Sequence, residues 1–321
     1  MQLFLTQLRE IMEECLVIEN KNTLETPIFV VGCMRSGTTL ISKLLGDHPD
    51  IIHCPFELKE IWSRAGNVPM SSPKTQDTAC PSLTEKDIQP DQLEALTEAF
   101  NKKMQKVCKR KKKNPNGLFL NKNPHLCNKL PLVNALFPNS RFIWIYRDLP
   151  KVVASVKLLF NDNSHYWPEK EDHSARCWIF HHDKQPAEYM KGSRFFPGGD
   201  AKYLAEYWYE NNKAVSQFLQ LIDPDRFHIV KEEELTKNPA QVISSCFEFL
   251  NVKEYVPVKL IEKIDSNRNS LWSNRLNKEE LQSLLNFIER KGDKIDEIFP
   301  DNDLYKKYKN EVTSALDTIS P

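Results

Sequence analysis

The sequence predicts an α/β fold in which a parallel sheet is flanked by helices and carries helical lid insertions. Three observations predict it. Short apolar strands alternate with helical segments, one strand runs into a glycine-bracketed turn that opens a helix, and basic residues follow several strands. Crossovers between parallel strands are right-handed, and ligands of such sheets lie beyond the carboxyl ends of the strands. A ligand site is therefore expected at that edge.

The first predicted element is the apolar strand Ile28–Val31, which leads into a turn between Gly32 and Gly37. A helix opens at Thr38, and backbone N–H groups at such a turn point toward an anion. In the loop of a nucleotide triphosphatase, Lys and then Ser or Thr follow the second glycine. Here two threonines follow it, and the cation is Arg35 inside the loop. The turn is P-loop-like and predicts a phosphate-bearing ligand other than ATP.

The remaining elements follow in alternation along the chain. Further strands are predicted at Ile51–Cys54, Leu118–Leu120, Arg141–Tyr146 and Phe227–Val230. Helices are predicted at 38–46, from Asp91 into the basic run Lys109–Lys113, and at 130–137, 152–160, 176–190 and 201–222. The stretch 64–90 is rich in Pro, Ser and Thr and is interpreted as a loop or lid. The remainder to Pro321 is mostly helical.

We interpret residues 1–321 as a single domain. Its predicted parts are an N-terminal amphipathic helix (1–25), the phosphate-loop unit (26–62), a lid or helical insertion (63–117), a second phosphate unit (118–160), a substrate loop (161–200) and a helical C-terminal part with the fifth strand (201–321).

Composition limits the choice of partners. Lys plus Arg and Asp plus Glu are both 44, so the zero net charge gives no reason to expect nucleic acid or an anionic membrane as a partner. No apolar run reaches the ~18 residues that a membrane span needs.

Eight cysteines without C-x-x-C pairs favour free thiols, a cytoplasmic location and no zinc site. The run Lys109–Lys113 is interpreted as a solvated helix terminus.

Three basic residues follow three predicted strands. Arg35, Lys122 and Arg147 occupy these positions, and Ser155 stands eight residues beyond the last of them. Since the carboxyl ends of parallel strands meet at one edge, these cations form a site for a ligand with phosphates at two separated places.

The segments 31–40 (VGCMRSGTTL) and 142–155 (FIWIYRDLPKVVAS) resemble the sulfotransferases that use 3′-phosphoadenosine 5′-phosphosulfate. The resemblance covers roughly residues 26–275 and is strongest to the branch with Pro-Arg-Ser-Gly-Thr-Thr loops, which includes tyrosylprotein and bacterial small-molecule enzymes. It implies that the loop holds the 5′-phosphosulfate and that a second site holds the 3′-phosphate, without a metal. The loop residues are Arg35, Ser36, Gly37, Thr38 and Thr39, and those of the second site are Arg147 and Ser155.

The resemblance also implies catalytic residues. Segment 121–124 is similar to an Asn-Lys-Asp-Pro segment whose lysine contacts the transferring group, which makes Lys122 a second cation beside Arg35. The acceptor must lose a proton to a base. Glu57 lies near the position of the catalytic glutamate of relatives. Its spacing from His48-Pro49 is one residue longer than in the tyrosylprotein branch, so Glu60 also remains a candidate base. His125 is the rival base, because imidazole titrates near neutrality.

Two segments bear on the rest of the donor. Where relatives have Val-Arg-Tyr-Glu-Asp-Leu, residues 230–235 are Val-Lys-Glu-Glu-Glu-Leu, so an aromatic contact to adenine is missing or comes from elsewhere. Segment 270–275 corresponds to a cofactor-contacting segment, and within it Ser270, Trp272 and Arg275 are the candidates. Gly292 is predicted to cap a helix.

The sequence therefore predicts a cytoplasmic sulfotransferase, a monomer or homodimer, that sulfates a hydroxyl or amine of a small-molecule acceptor and releases adenosine 3′,5′-bisphosphate. Segments 64–90 and 161–199 are expected to shape the acceptor pocket. Two alternatives remain: a P-loop kinase-like nucleotide-binding enzyme, and a non-catalytic member of the fold that binds the cofactor.

Overall fold

A five-stranded parallel sheet forms the centre of the protein in a computed structural model, which describes residues 24–70, 82–161, 201–299 and 303–319. The strands are β1 (Ile28–Val31), β2 (Ile51–Cys54), β3 (Leu118–Lys122), β4 (Arg141–Tyr146) and β5 (Phe227–Lys231). Their order is β2-β3-β1-β4-β5, and every neighbouring pair is parallel. The predicted α/β class is confirmed, and the five carboxyl ends share one edge.

Helices connect and cover the strands. They are α1 (Thr38–Leu45), α2 (Lys59–Arg64), α3 (Gln92–Lys111), α4 (Leu130–Leu136), α5 (Leu149–Asn161), α6 (Ala201–Leu219), α7 (Glu232–Lys237), α8 (Pro239–Phe249), α9 (Val258–Ile261), α10 (Lys278–Lys291) and α11 (Leu304–Thr318). Short 3₁₀ turns lie at Glu85–Asp87, Pro124–Leu126, Pro224–Arg226, Ser266–Asn269, Ser273–Arg275 and Gly292–Ile298.

Apolar residues cover both faces of the sheet, because alternate residues of a strand point to opposite faces. In β1, Phe29 and Val31 belong to one buried cluster, and Ile28 and Val30 belong to the other. All four side chains are fully buried. The continuous apolar run in β1 is thus explained by its central position between two layers of helices.

Three element boundaries differ from the prediction by two or three residues. Strand β3 continues to Lys122 because Asn121 and Lys122 still pair with β1, and Oδ1 of Asn121 accepts a hydrogen bond of 3.0 Å from Trp62 Nε1. Helix α5 begins at Leu149 rather than Val152, since a proline is tolerated in the first turn of a helix. Helix α6 ends at Leu219, three residues before the predicted end.

The ends of two helices with basic last turns agree with the sequence. Helix α3 stops at Lys111, inside the basic run, and Gly292 with φ +56° closes α10. Most of the predicted N-terminal helix, the predicted helix 176–190 and nearly all of the predicted substrate loop lie outside the described residues.

Several properties concern only the described part of the chain. No helix there has the length and hydropathy to cross a membrane. The five cysteines in these ranges, Cys33, Cys54, Cys108, Cys127 and Cys246, carry free thiols. Within the same ranges, no three His, Cys, Asp or Glu side chains come together as a candidate metal site.

Candidate active site

The turn after β1 is pressed against β4 and α7, and two glycines make this possible. Gly32 has φ +146°, and a Cβ there would lie 2.1 Å from the Ile145 carbonyl oxygen. Gly37 has φ +87° at the start of α1, and a Cβ there would lie 2.7 Å from Cγ of Glu232. A side chain at either position would therefore push the loop away from its neighbours.

Arg35 stands inside this turn with φ +69°, an uncommon conformation for a residue with a side chain. Its Nε donates a hydrogen bond of 3.0 Å to Oγ of Ser155 on α5. The Ser36 side chain is fully buried, and its hydroxyl lies 2.8 Å from Sγ of Cys33. Burial raises the pKa of Cys33 to about 12, so this thiol is neutral and is not a nucleophile at neutral pH.

Arg147 follows β4, and partners on three sides hold its guanidinium. Nη1 donates to the carbonyl oxygen of Arg35 at 3.1 Å, and Nη2 donates to Oδ1 of Asn269. Nε lies 3.2 Å from Oε2 of Glu232. Arg147 is 7% exposed, and its backbone oxygen accepts a hydrogen bond of 2.8 Å from Trp208 Nε1. The second cation is therefore preorganised beside the loop.

The two arginines line one cleft of about 350 Å³. Its lining residues are Arg35, Gly37, Thr38, Thr39, Leu40, Lys43, Arg147, Ser155, Glu232, Thr236, Lys263, Ile264, Asp265, Asn269 and Arg275. Five of them are cationic and two are acidic, so the cleft has the charge that an anionic ligand needs. Most of the predicted donor-binding residues come together here.

Three predicted donor contacts do not line the cleft, and the first is Ser36, whose buried hydroxyl lies 2.8 Å from Cys33 Sγ. Ser270 is exposed and donates to the Asn267 carbonyl oxygen at 2.7 Å, while Trp272 packs against the hydrophobic core. Neither is among the described residues that line the cleft, whereas Arg275 is. The cleft contact that the sequence did not reveal in this region is Asn269, which bridges Arg147 and Glu232.

Beyond this cleft, Glu57 and Lys122 meet at the ends of β2 and β3. Lys122 Nζ donates to Oε1 of Glu57, and the side chains are 7% and 27% exposed for Lys122 and Glu57 respectively. Asn123 Nδ2 donates to the Glu57 backbone oxygen at 3.0 Å. Positive φ angles of 67° at Phe56 and 54° at Leu58 turn the chain on both sides of Glu57. Loop geometry and an ion pair together fix this carboxylate.

The ionisation of Glu57 follows from these contacts. Burial raises the pKa of the Glu57 carboxyl, but the charge of Lys122 and its hydrogen bond outweigh burial. The net pKa lies below the ordinary value of 4.5. The carboxylate is therefore ionised at neutral pH and able to accept a proton.

The other two candidate bases differ from Glu57 in their surroundings. His125 is 3% exposed in the turn Pro124–Leu126, and its backbone N–H donates to Oδ1 of Asn123 at 2.9 Å. The Asn123 side chain thus bonds the backbones of both His125 and Glu57. Glu60, on α2, is exposed. The structure brings Glu57, Lys122 and His125 together.

A buried charged network lies behind Arg147, and sequence reasoning missed it. Asp148 is fully buried and accepts hydrogen bonds from Lys151 at 2.6 Å and from Lys307 of α11 at 2.7 Å. Glu233 accepts from the Asp148 backbone N–H at 3.2 Å and from Lys151 at 3.1 Å. Two elements distant in sequence, α7 and α11, thus anchor Asp148 together with the nearby Lys151, and no local pattern indicates the distant contacts.

Comparisons with known proteins identify the family. A model of the sulfotransferase family matches residues 27–256, which is 230 of the 321 residues, and the chain belongs to this family. Human protein-tyrosine sulfotransferase 1 is 32% identical over 130 residues, which are 38% of this chain and 31% of the human protein. The protein-tyrosine sulfotransferase 1 of Danio rerio is 29% identical over 130 residues, 38% of this chain and 32% of its own. The chain thus matches about a third of the length of these relatives.

Solved structures of other sulfotransferases are similar over more of the chain. The sulfotransferase from Alicyclobacillus acidocaldarius is 13% identical, with 82% of this chain and 96% of that chain covered and a TM-score of 0.45. The sulfotransferase domain from the curacin biosynthetic pathway is 18% identical, with 90% and 97% covered and a TM-score of 0.42.

Proposed function

We propose that this chain transfers a sulfuryl group from 3′-phosphoadenosine 5′-phosphosulfate to a hydroxyl or amine of a small-molecule acceptor. The observation that carries the proposal is the joining of Arg35 and Arg147 in one cleft. Arg147 donates to the backbone of Arg35, and Arg35 donates to Ser155. Two guanidinium groups on two strand ends are suited to a ligand with anionic groups at two places.

The chemistry of the cleft fits this donor. Loop amides at the start of α1 and the hydroxyls of Thr38 and Thr39 suit a 5′-phosphosulfate, and Arg147 and Ser155 suit a 3′-phosphate. Nε of Arg147 is buried and donates no hydrogen bond within the described residues, so its N–H is available to a phosphate oxygen. The cleft volume of about 350 Å³ is within the usual range for a small-ligand pocket.

When bound, the donor supplies a sulfuryl group attached to a phosphate leaving group. Arg35 and the loop amides lie where they stabilise negative charge on that phosphate, which is the main electrostatic contribution in related in-line transfers. Lys122 is the cation on the acceptor side of the loop. Glu57 is the base that removes the acceptor proton at a carboxylate oxygen, and His125 remains its alternative.

The test is transfer of labelled sulfate from the donor to a panel of acceptors. Phenols, alcohols, amines, alkaloids and tyrosine-containing peptides are each incubated with the chain and with its Glu57→Gln variant, and labelled product is counted. The proposal expects label in a small molecule, with little in the variant. Label in a tyrosine peptide alone would replace the small-molecule acceptor by a protein.

Binding measurements made beside this assay separate the alternatives. A kinase-like enzyme binds ATP in a magnesium-dependent way and transfers no sulfate. A non-catalytic member binds adenosine 3′,5′-bisphosphate, yet labels no acceptor. The cytoplasmic location and a monomeric or homodimeric state without nucleic acid or membrane partners belong to the proposal; the five free thiols among the described residues support the location.

A further inference from the structure

Glu232 introduces a carboxylate into the phosphate cleft. It is the first residue of α7, directly after β5, and it is 7% exposed. Its side chain reaches past Gly37 toward Arg147, whose Nε lies 3.2 Å from Oε2. The same oxygen accepts a hydrogen bond of 3.0 Å from Asn269 Nδ2. A negative group thus stands beside the cation that is assigned to the donor's second phosphate.

Asn269 couples the acid and the arginine into one unit. Its amide nitrogen donates to Glu232, and its amide oxygen accepts from Arg147 Nη2. Asn269 Nδ2 also lies 3.1 Å from the hydroxyl oxygen of Thr236, one turn along α7. The carboxylate is therefore held by Arg147 after β4 and by Asn269 of the turn Ser266–Asn269, and it does not rotate freely into solvent.

The pairing of Glu232 with Arg147 is electrostatic, and it leaves the Nε–H of the arginine able to donate a hydrogen bond. The Arg147 Nε atom is buried and makes no hydrogen bond of acceptable geometry within the described residues, although Glu232 Oε2 lies at 3.2 Å. A phosphate oxygen accepting from this N–H would come close to the carboxylate. Two anions sharing one guanidinium repel each other in a poorly solvated site.

We infer that the carboxylate of Glu232 competes with the second phosphate of the donor for Arg147, and so sets how strongly the chain prefers a nucleotide with a 3′-phosphate. This inference rests on the proposed function. Because Glu232 partly neutralises Arg147, the remaining cations of the cleft, such as Lys43, Lys263 and Arg275, supply the rest of the attraction for the phosphates. Glu232 is a specificity-determining residue that lowers the affinity of the chain for its phosphorylated ligand.

The experiment compares two ligands that differ only in the 3′-phosphate. Adenosine 3′,5′-bisphosphate and adenosine 5′-phosphate are titrated calorimetrically into the wild-type chain and into Glu232→Gln, which retains the methylene packing against Gly37. The contribution of the 3′-phosphate is measured by the ratio of the dissociation constant of adenosine 5′-phosphate to that of adenosine 3′,5′-bisphosphate. We expect this ratio to rise at least ~10-fold in Glu232→Gln, because close charge pairs couple strongly. Binding of the 5′-phosphate should stay within about twofold, since Arg35 and its loop are untouched.

Glu234→Gln is the matched control, because it removes the same charge from an exposed position on the same helix and should leave both constants unchanged. Glu232→Met serves as a second variant if Glu232→Gln does not fold, as judged by its thermal transition. An unchanged or smaller ratio in a folded Glu232 variant, with normal wild-type binding, overturns the inference alone. If neither the wild type nor the variant binds the bisphosphate, the inference and the proposed function both fail.

Discussion

The Lys122 ammonium donates a hydrogen bond to the Glu57 carboxylate across the ends of two paired strands. The two residues are 65 positions apart in the sequence, yet parallel pairing of β2 and β3 places them at one edge. The pair lies on the same edge as Arg35 and Arg147, since all five strands are parallel. The proposed cation for the transferring group and the proposed base for the acceptor are thus adjacent.

Glu57→Gln should lower kcat by ~10²–10⁴-fold, because the amide cannot accept the acceptor proton. Affinity for adenosine 3′,5′-bisphosphate should change by less than about twofold, since Glu57 does not line the donor cleft. Steady-state sulfate transfer and calorimetric titration measure the two quantities. Glu60→Gln is the control and should retain activity; loss of activity in Glu60→Gln with a normal Glu57→Gln would assign the base to Glu60.

The pH profile of kcat/KM distinguishes Glu57 from His125. The pKa of Glu57 lies below 4.5, so its ionised form persists as pH falls and is lost only below that value. A Glu57 base therefore predicts no acidic decline of activity from this group between pH 8 and pH 5. A decline centred near pH ~6.5, the usual range of histidine, that disappears in His125→Gln would identify the histidine as the base.

Glu233→Gln should change the pH dependence of stability. Burial, then the charge of Asp148, raises the pKa of Glu233 to about 7, above the 4.5 of the unfolded chain. This carboxyl therefore costs no stability below 4.5 and an increasing amount as pH rises toward 7. The free energy of unfolding of Glu233→Gln relative to wild type should improve by ~2 kcal/mol between pH 5 and pH 8.

The neighbouring Asp148 does not obscure this measurement. Burial alone would raise the pKa of Asp148, but Lys151 and Lys307 lower it to about 2, so its stabilising contribution is complete above about pH 4 and is lost only below. Denaturant unfolding at several pH values provides the data, and the exposed Glu234→Gln is the control. If the free energies of unfolding of Glu233→Gln and of the wild type change with pH in the same way, the raised pKa of Glu233 is ruled out.

Gly32→Ala should reduce the free energy of unfolding by ~3 kcal/mol or more, because the new Cβ would meet the Ile145 carbonyl oxygen at 2.1 Å. Gly292→Ala is the matched control: it also has a positive φ, but nothing lies within 4 Å of its added Cβ. Its cost should be smaller, ~1–3 kcal/mol, from backbone strain alone, since φ +56° with ψ −140° is a conformation that mainly glycine adopts. Equal losses in the two variants would show that the close approach of β1 and β4 is not what requires Gly32.

The sheet and the phosphate loop could be predicted from the sequence because their signals are local. An apolar run such as Ile28–Val31 and a turn bracketed by two glycines require no knowledge of distant residues. Arg35 and Arg147 were assigned to one edge because parallel strands share their carboxyl ends. Strand β3 was predicted to end two residues early, since the polar pair Asn121 and Lys122 resembles the end of a strand while its backbone still pairs with β1.

Apart from the grouping of strand-end residues at one edge, contacts between distant parts of the chain could not be predicted. Asn269 lies 122 residues beyond Arg147, and nothing in its neighbourhood indicates that it bonds the guanidinium. The substitution in segment 230–235 was visible as a missing aromatic residue, but only the structure reveals that Glu232 turns toward Arg147. Ser270 and Trp272 were proposed from a correspondence of segments, and side-chain direction places only Arg275 of that segment in the cleft.

Binding of adenosine 3′,5′-bisphosphate is the most direct test of the donor site that joins Arg35 and Arg147. Calorimetric titration is carried out on the wild type, on Arg147→Ala, and on Arg110→Ala, which removes the same charge from an exposed site on α3. Binding should be seen with the wild type and Arg110→Ala, and should weaken ~10- to 100-fold in Arg147→Ala, the usual loss for hydrogen bonds to a charged group. No binding by the wild type, or unchanged binding in Arg147→Ala, would contradict the assignment of this cleft to the sulfuryl donor.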